Sequence, residues 1–488
     1  MTFEEQNYSQ CFAAEEKQAH DSQAFQFESN KHLDATAEEL IRSTSHIKRF
    51  VERWQADPNF QEQMALNPSK TVSHYGLNID PEEIEPLWDR GDGEKLDEAA
   101  SVSESVKRWE EALKFDPVQS VKAVMTIVKD PRYHAWRERQ IARTASQFLP
   151  SFQGQIAHAP VCFELSKGCS GGCWFCGISA PRLDDIFYYT PENAKLWRNV
   201  LEVMKEMLGP VAGAGFCYWA TDPMDNPDYE KYCSDFHDIL GIFPQTTTAL
   251  PLRNVERTRS FLKLSQEKGC LLNRFSIISL KMLDQVHEAF SADELAFVKL
   301  VLQNKESKIP KANAGRARKR QQGKDENGLP EQGTIACVTG FLFNMVERSV
   351  KLISPCNADE RWPLGYIVYD EGTFSNADDL KVLLERMISN QMPLSIQPSD
   401  VIRFRRDLQY ESLPDGFRLS TRIKKFNFRN DLYFKELGEV IQQGDKTVEA
   451  LVSLFESFGV SSARTFDTLN LMFERGILDN EPEPKSMK

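Results

Sequence analysis

Apolar residues recur along this chain at two spacings, one near 3.6 residues and one of two. Leu40, Ile41, Ile47, Phe50, Val51 and Trp54 share one face of a helical wheel. Asp57-Pro58 reads as an N-cap with proline in the first turn, and Asp80-Pro81-Glu82-Glu83 repeats the signal. Between them, Tyr75-Gly76-Leu77 reads as a helix stop with a left-handed glycine. Residues 1–34 are polar and poor in aliphatics, which predicts a loosely held tail. Beyond the Gly91-Asp92-Gly93 linker, further helices are expected between Glu98 and Phe148.

The middle of the chain changes rhythm. Val161-Cys-Phe-Glu-Leu165 is a short apolar run, and Thr190-Pro191-Glu192 opens a helix with the stripe Trp197, Leu201, Met204 and Leu208. That helix should stop at Gly209-Pro210, and Gly215-Phe-Cys-Tyr-Trp219 follows as a second strand. Such a strand–helix–strand unit favours parallel pairing. Further strands are expected at Gln245–Leu250, Arg274–Leu280 and Thr334–Phe343, so the expected class is α/β. Near the C-terminus Phe417-Arg-Leu419-Ser-Thr421-Arg-Ile423 alternates as a half-buried strand, and Phe426 and Phe428 suggest another. Thr447–Phe455 and Thr465–Arg475 are amphipathic, the second closed by Gly476.

Composition narrows the setting. With 488 residues, 41% hydrophobic and 27% charged, the chain has the make-up of a soluble globular protein of several domains. Met1–Gln10 is polar and acidic, unlike a secretory signal, and no apolar run approaches the length of a membrane span. Ten cysteines without a disulfide-like framework point to a reducing cytoplasm. A net charge of −13 argues against nucleic acid as the main partner. Lys305–Lys324 is the exception, a basic run with Pro310, Gly315 and Gly323. It reads as a mobile solvated loop or as a clamp for an acidic peptide.

The candidate chemistry lies in Cys169-Ser-Gly-Gly-Cys173-Trp-Phe-Cys176. Three cysteines on a glycine-rich loop, with no fourth Cys or His nearby, can bring three thiolates to a metal centre. Structural zinc sites and most iron–sulfur sites use four protein ligands, so three would leave one iron of a 4Fe-4S cluster open. The spacing, with Phe175 before the third cysteine, resembles the radical S-adenosylmethionine (SAM) superfamily. The resemblance implies a partial (β/α)6 barrel over residues 151–375, with SAM on the open iron and chemistry at the carboxyl ends of the strands.

Relatives in that superfamily carry a Gly-Gly-Glu-like turn where this chain has Ala220-Thr221-Asp222. The resemblance makes Asp222 the acceptor for the SAM ammonium and adds Phe175, Ala220, Thr221, Arg274 and Ser276 as cofactor contacts. Asp225 reads instead as a turn cap. The layout Trp219-Ala-Thr-Asp222-Pro, Ser354-Pro-Cys356 and Arg361-Trp362-Pro-Leu-Gly365-Tyr is similar to the radical SAM peptide epimerases of proteusin-type pathways. This implies conversion of L- to D-residues in a ribosomally made precursor peptide, with Cys356 as the thiol that returns hydrogen and Cys337 as the second choice. It also implies an external electron donor. Residues 35–92 contain a stretch similar to the Nif11-type leader region, residues 93–150 form a helical lead-in, and residues 380–480 resemble PqqD-like winged-helix elements that bind leader peptides by strand addition. Two other readings stay open: a radical SAM enzyme forming thioether or carbon–carbon crosslinks, and a non-catalytic leader-binding scaffold with a zinc knuckle.

Overall fold

The computed structural model describes residues 35–89, 103–307, 313–321 and 333–483. The polar tail and the Gly91-Asp92-Gly93 linker lie outside the described residues. Four short helices, Ala35–Ser43, Ser45–Ala56, Pro58–Leu66 and Pro68–His74, open the fold. The Asp57 side chain accepts from the amides of Asn59 at 3.0 Å and Phe60 at 3.3 Å, the cap that Asp57-Pro58 announces. Phe50, Phe60, Met64, Val72 and Ile84 form the small core beneath. The Asp80-Pro81 signal fails as an α-helix start. It gives turns and a single 3-10 turn at Glu85–Leu87, because Pro86 follows too soon for a helix to propagate.

An α/β arrangement occupies the centre. The strands Ala159–Glu164, Thr247–Thr248, Asn273–Ile277 and Val298–Leu302 are joined by the helices Pro191–Leu208, Tyr229–Leu240, Val255–Glu267 and Leu280–Ala289. Asn273–Ile277 pairs in parallel with both Thr247–Thr248 and Val298–Leu302. The expected strand at Gly215–Trp219 shrinks to one parallel bridge, Cys162 with Phe216, since the preceding 3-10 turn Gly209–Ala214 delivers the chain obliquely. On its other side Ala159–Glu164 pairs in parallel with Val338–Asn344, which continues into an antiparallel meander with Ser349–Pro355 and Tyr366–Thr373. Patterning missed those last two strands and Val298–Leu302, where Lys299 interrupts the apolar run.

The helix Pro131–Ala145 joins the parts of the molecule. Tyr133 donates to the Thr339 carbonyl at 2.8 Å, and Arg143 donates to Ser354 Oγ at 2.9 Å and the Pro355 carbonyl at 2.8 Å. Arg139 lies 4.2 Å over the Phe473 ring of the C-terminal module. Arg137, Arg139 and Arg143 are all buried, so the lead-in helix is a spine whose buried face is cationic.

The C-terminal module holds an antiparallel sheet, Gln409–Leu413, Gly416–Ser420 and Lys425–Phe428, then the helices Leu432–Gln443, Val448–Ser457 and Ser462–Glu474. Phe417, Leu419, Leu437, Leu451, Phe455 and Leu469 fill its own core. Its start shifts from the expected residue 380 to about Ile396. The helix Ala377–Gln391 instead packs Leu380, Leu384, Met387 and Ile388 into the central core.

Candidate functional site

The first strand ends at Glu164 and the cysteine loop follows at once. Its base is a small ribbon, Ser166–Lys167 against Asp185–Ile186, continued by a bridge between Cys169 and Arg182. Gly168 makes the closure possible. It sits at φ +82°, and a Cβ there would stand 2.2 Å from the Arg182 carbonyl oxygen. Cys169, Cys173 and Cys176 are free and half-buried. The Gly171 amide points at Cys169 Sγ at 3.3 Å and the Ala180 amide at Cys176 Sγ at 3.3 Å. A Cβ on Gly171 would lie 3.4 Å from Cys169 Sγ and 3.7 Å from Cys173 Sγ, so the glycine keeps open the space between two sulfurs. Burial pushes the Cys169 thiol up to about 12 and the Cys173 thiol to about 11. Only a bound cation would hold both as thiolates at neutral pH.

Three side chains from outside fix the loop. Asp225 Oδ2 accepts from the Ser170 amide at 2.9 Å and Oδ1 from the Ser170 hydroxyl at 2.6 Å. Arg253 bridges Asp225 and Ser170 from solvent. Arg316 donates to the Cys173 carbonyl at 2.9 Å and the Ala180 carbonyl at 2.7 Å, and its own amide donates to the Cys176 carbonyl at 3.0 Å. Part of the basic run Lys305–Lys324 is thus a docked helix, Gly315–Gln321, and not a solvated loop. Residues 308–312 and 322–332 lie outside the described residues. Its arginine satisfies carbonyls that a tight loop cannot pair internally. The sequence signal was there, a Gly-Arg pair inside a basic run, but charge counting alone reads it as surface.

The fit to a cluster rests on the donor set. Among the described residues no three His, Cys, Asp or Glu side chains converge as around a single metal ion. An iron–sulfur cluster bound by three cysteines needs no such convergence, because each thiolate takes its own iron. Three free thiols on one loop, two of them receiving amide N–H groups, suit that group.

The turn Ala220-Thr221-Asp222 sits beside the loop. The Ala220 amide donates to Glu164 Oε1 at 2.8 Å, tying the turn to the end of the first strand. Asp222 is buried and already engaged: Oδ1 accepts from Thr248 Oγ1 at 2.7 Å and the Met224 amide at 3.0 Å, Oδ2 from the Ala249 amide at 2.8 Å. Burial still raises its carboxyl to about 6 against those bonds. Asp222 is therefore also a turn cap, and Asp225, expected to be only a cap, reaches the cysteine loop. Phe175 stays half-buried within the loop, its ring 5.5 Å from that of Trp174.

Arg274 and Ser276 project together from the face of their strand opposite the buried Phe275 and Ile277. Register places Thr247, Arg274 and Lys299 in one row across three strands, and Tyr218 extends it with a bond from its hydroxyl to Thr247 at 2.9 Å. Arg274 Nε is buried with no hydrogen-bond partner among the described residues. Cys337 is half-buried and close enough for the Arg274 charge to lower its thiol pKa against the upward push of burial.

Cys356 is placed elsewhere. The sequence puts it after a Ser-Pro turn just past the final strand, at the barrel mouth, but Ser354 and Pro355 end a strand that is not the last, and Cys356 is 4% exposed in a cavity of about 150 Å³ against the C-terminal module. Arg143, Asp407 and Glu481 surround it there. The loop it begins meets the helix that is docked on the cysteine loop, for the Pro363 carbonyl accepts from the Gly315 amide at 2.8 Å. The helix Gly315–Gln321 is a wall shared by both loops.

Sequence comparison gives the family. The uncharacterized protein y4wI of Sinorhizobium fredii (strain NBRC 101917 / NGR234) is 38% identical over 458 residues, 91% of this chain and 88% of the relative. The chain belongs to the y4wI family. The family model described as the protein y4wI C-terminal domain matches residues 402–476, which fall within the separately cored C-terminal module. Among solved structures, the crystal structure of BtrN in complex with AdoMet and 2-DOIA gives a TM-score of 0.27 at 11% identity, over 39% of this y4wI-family chain and 71% of that one, a likeness too slight to define the fold.

Proposed function

We propose that this y4wI-family protein is a radical SAM enzyme that converts L- to D-residues in a ribosomally made precursor peptide. The observation that carries the reading is the cysteine loop: three free thiols spaced for a 4Fe-4S cluster, held from outside by Asp225 and Arg316. With SAM, such a cluster supplies a radical able to take an α-hydrogen. The chain's own residues do the positioning. Ala220, Thr221 and Asp222 form the turn beside the loop, where the buried Asp222 carboxylate would accept an ammonium group in a charge-assisted bond. Arg274 and Ser276 share the strand face opposite the buried Phe275 and Ile277, and Phe175 lies within the loop itself.

The hydrogen returned to the α-carbon comes from a thiol. Cys356 fills that role in the first reading, since its loop shares a wall with the cysteine loop. Cys337 is the second, favoured by its place beside Arg274 and Tyr218 on the inward side. The C-terminal module holds the leader, because its outer strands Gln409–Leu413 and Lys425–Phe428 each pair on one side only among the described residues. The protein works in the cytoplasm with an external one-electron donor, away from nucleic acid and membrane. No described helix is long and apolar enough to cross a membrane.

The test is anaerobic reconstitution with iron and sulfide, followed by SAM, dithionite and a co-expressed precursor. Iron and sulfide in the protein, 5′-deoxyadenosine in solution and a peptide of unchanged mass with D-residues are expected. A changed peptide mass would favour crosslinking. Zinc in place of iron, with no SAM cleavage, would leave a leader-binding scaffold.

A further inference from the structure

The segment Asp479–Glu483 leaves the last helix and lies across the cavity that contains Cys356. Backbone and side-chain contacts fasten it. The Asp479 amide donates to the Arg403 carbonyl at 2.8 Å. The Trp362 indole N–H donates to Glu481 Oε1 at 2.5 Å, and the Arg361 guanidinium lies 3.2 Å from the same oxygen. Arg361 also donates to the Pro482 carbonyl at 3.2 Å, and Arg406 pairs with Glu483 at 2.6 Å. Glu481 is partly buried, and desolvation raises its carboxyl, so the cleft takes a carboxylate out of water and answers it with an arginine and an indole. Glu483 at the rim is 76% exposed, a pairing easily exchanged with solvent.

We propose that Arg361, Trp362 and Arg406 form a docking cleft for an acidic peptide segment, and that the chain's own Asp479–Glu483 occupies it until such a segment displaces it. Three features point the same way. The occupant is an extended Asp-Asn-Glu-Pro-Glu stretch that continues from the antiparallel bridge of Leu478 with Phe404 and, beyond the Asp479 amide, is held by its carboxylates and one carbonyl. Arginine and tryptophan are the side chains that anchor peptides by charge and by flat apolar area. The wall of the cleft runs directly into the cavity lined by Arg143, Arg405 and Cys356, so whatever sits on Trp362 decides whether that thiol can be reached. Tethering keeps the cis segment at high local concentration, and a free peptide wins only when the cis contacts are weakened or when it brings further contacts of its own. The inference needs no cluster and holds or fails apart from the radical chemistry.

The test uses the full-length chain and a fluorescein-labelled peptide of the sequence Asp-Asn-Glu-Pro-Glu-Pro. Glu481→Gln/Glu483→Gln should bind it at least tenfold more tightly than the wild type, and the same peptide with both Glu replaced by Ala should not bind. Adding Arg361→Gln and Arg406→Gln to that variant should abolish binding while thermal unfolding shows the fold retained. In parallel, iodoacetamide should label Cys356 at least tenfold faster in Glu481→Gln/Glu483→Gln than in the wild type. Equal affinity of the two proteins for the peptide, no measurable binding to either, or unchanged Cys356 labelling would each overturn the proposal. Should the arginine variant unfold, Trp362→Phe, which removes the indole N–H together with part of the ring's flat area, provides the second measurement, and undiminished peptide binding there would count against the cleft.

Discussion

Asp225 holds Ser170 with both carboxylate oxygens, one on the backbone amide at 2.9 Å and one on the hydroxyl at 2.6 Å. The first residue after Cys169 is thereby locked to a turn 55 positions further along the chain. Asp225 has a fully buried side chain, whereas its partner Arg253 is 41% exposed. Asp225→Ala removes the acceptor from two loop donors and from a cation that water can still solvate. The expected loss is about 2–3 kcal/mol in urea unfolding of the metal-free protein. The variant should also retain less iron after reconstitution, because the loop no longer presents Cys169 in one position. Wild-type stability and iron content together would show that the clamp is incidental.

Much of this site was legible in the chain and its supports were not. Cys169, Cys173 and Cys176 announce themselves by spacing, and the helix Pro191–Leu208 shows its stripe and both of its ends. Asp225 and Arg253 carry no such mark and Arg316 shows only a basic run, since a clamp across 55 or 143 residues exists only once the topology is built. The helix Pro131–Ala145 falls within the helical lead-in expected between Glu98 and Phe148, but its part as a spine did not show. Its buried face joins Tyr133 and Trp136 to Arg137, Arg139 and Arg143, and hydrophobic periodicity cannot see side chains buried by hydrogen bonds to carbonyls. Cys356 was expected just past the final strand at the barrel mouth, whereas the strand that ends at Pro355, the strand after it and the C-terminal module that covers it were unreadable from local pattern.

The N-terminal helices close a sheet edge. Val298–Leu302 is the last strand of its sheet, and Glu52 accepts from its Leu300 amide at 3.2 Å while Lys48 donates to its Val298 carbonyl at 2.7 Å. Two side chains one helical turn apart substitute for a neighbouring strand. Glu52→Ala leaves the Leu300 amide unpaired and should cost about 1–3 kcal/mol. Glu52→Gln keeps an acceptor and should lose less. Hydrogen exchange at Leu300 checks the mechanism, with faster exchange expected in the alanine variant alone.

Acid should destabilise the fold at two buried histidines. His287 lies beneath these helices, where burial, with Arg49, Arg53 and Lys48 around it, lowers its pKa to about 2. Burial beside Arg137 and Arg143 lowers that of His158 to about 3. Both are depressed below the unfolded value, so the unfolded chain binds more protons between these values and about pH 6.5. The stabilisation is whole above pH 6.5 and is lost as pH falls, by about 1.4 kcal/mol per pH unit for each histidine. His287→Gln should flatten the fall between pH 6 and 4 by one histidine's share. An unaltered pH slope in that variant would remove His287 from the account.

The last prediction separates the two thiols. A radical at an α-carbon is quenched when an S–H bond breaks and a C–H bond forms, leaving a thiyl radical that needs one electron and one proton from the external donor system before the next turnover. The thiol exchanges with solvent, so each inverted residue formed in deuterated water should gain one deuterium at its α-carbon. Cys356 reaches the peptide only if its cavity opens, for it is 4% exposed beneath the C-terminal segment. Cys337 is half-buried on the side that Arg274 and Tyr218 share. Cys356→Ala is expected to cleave SAM in the presence of precursor and yet leave the peptide unepimerised, while Cys337→Ala still epimerises. The reverse pattern would transfer the role to Cys337 and make the closed cavity around Cys356 structural. Deuterium incorporation that survives both substitutions would exclude either thiol as donor.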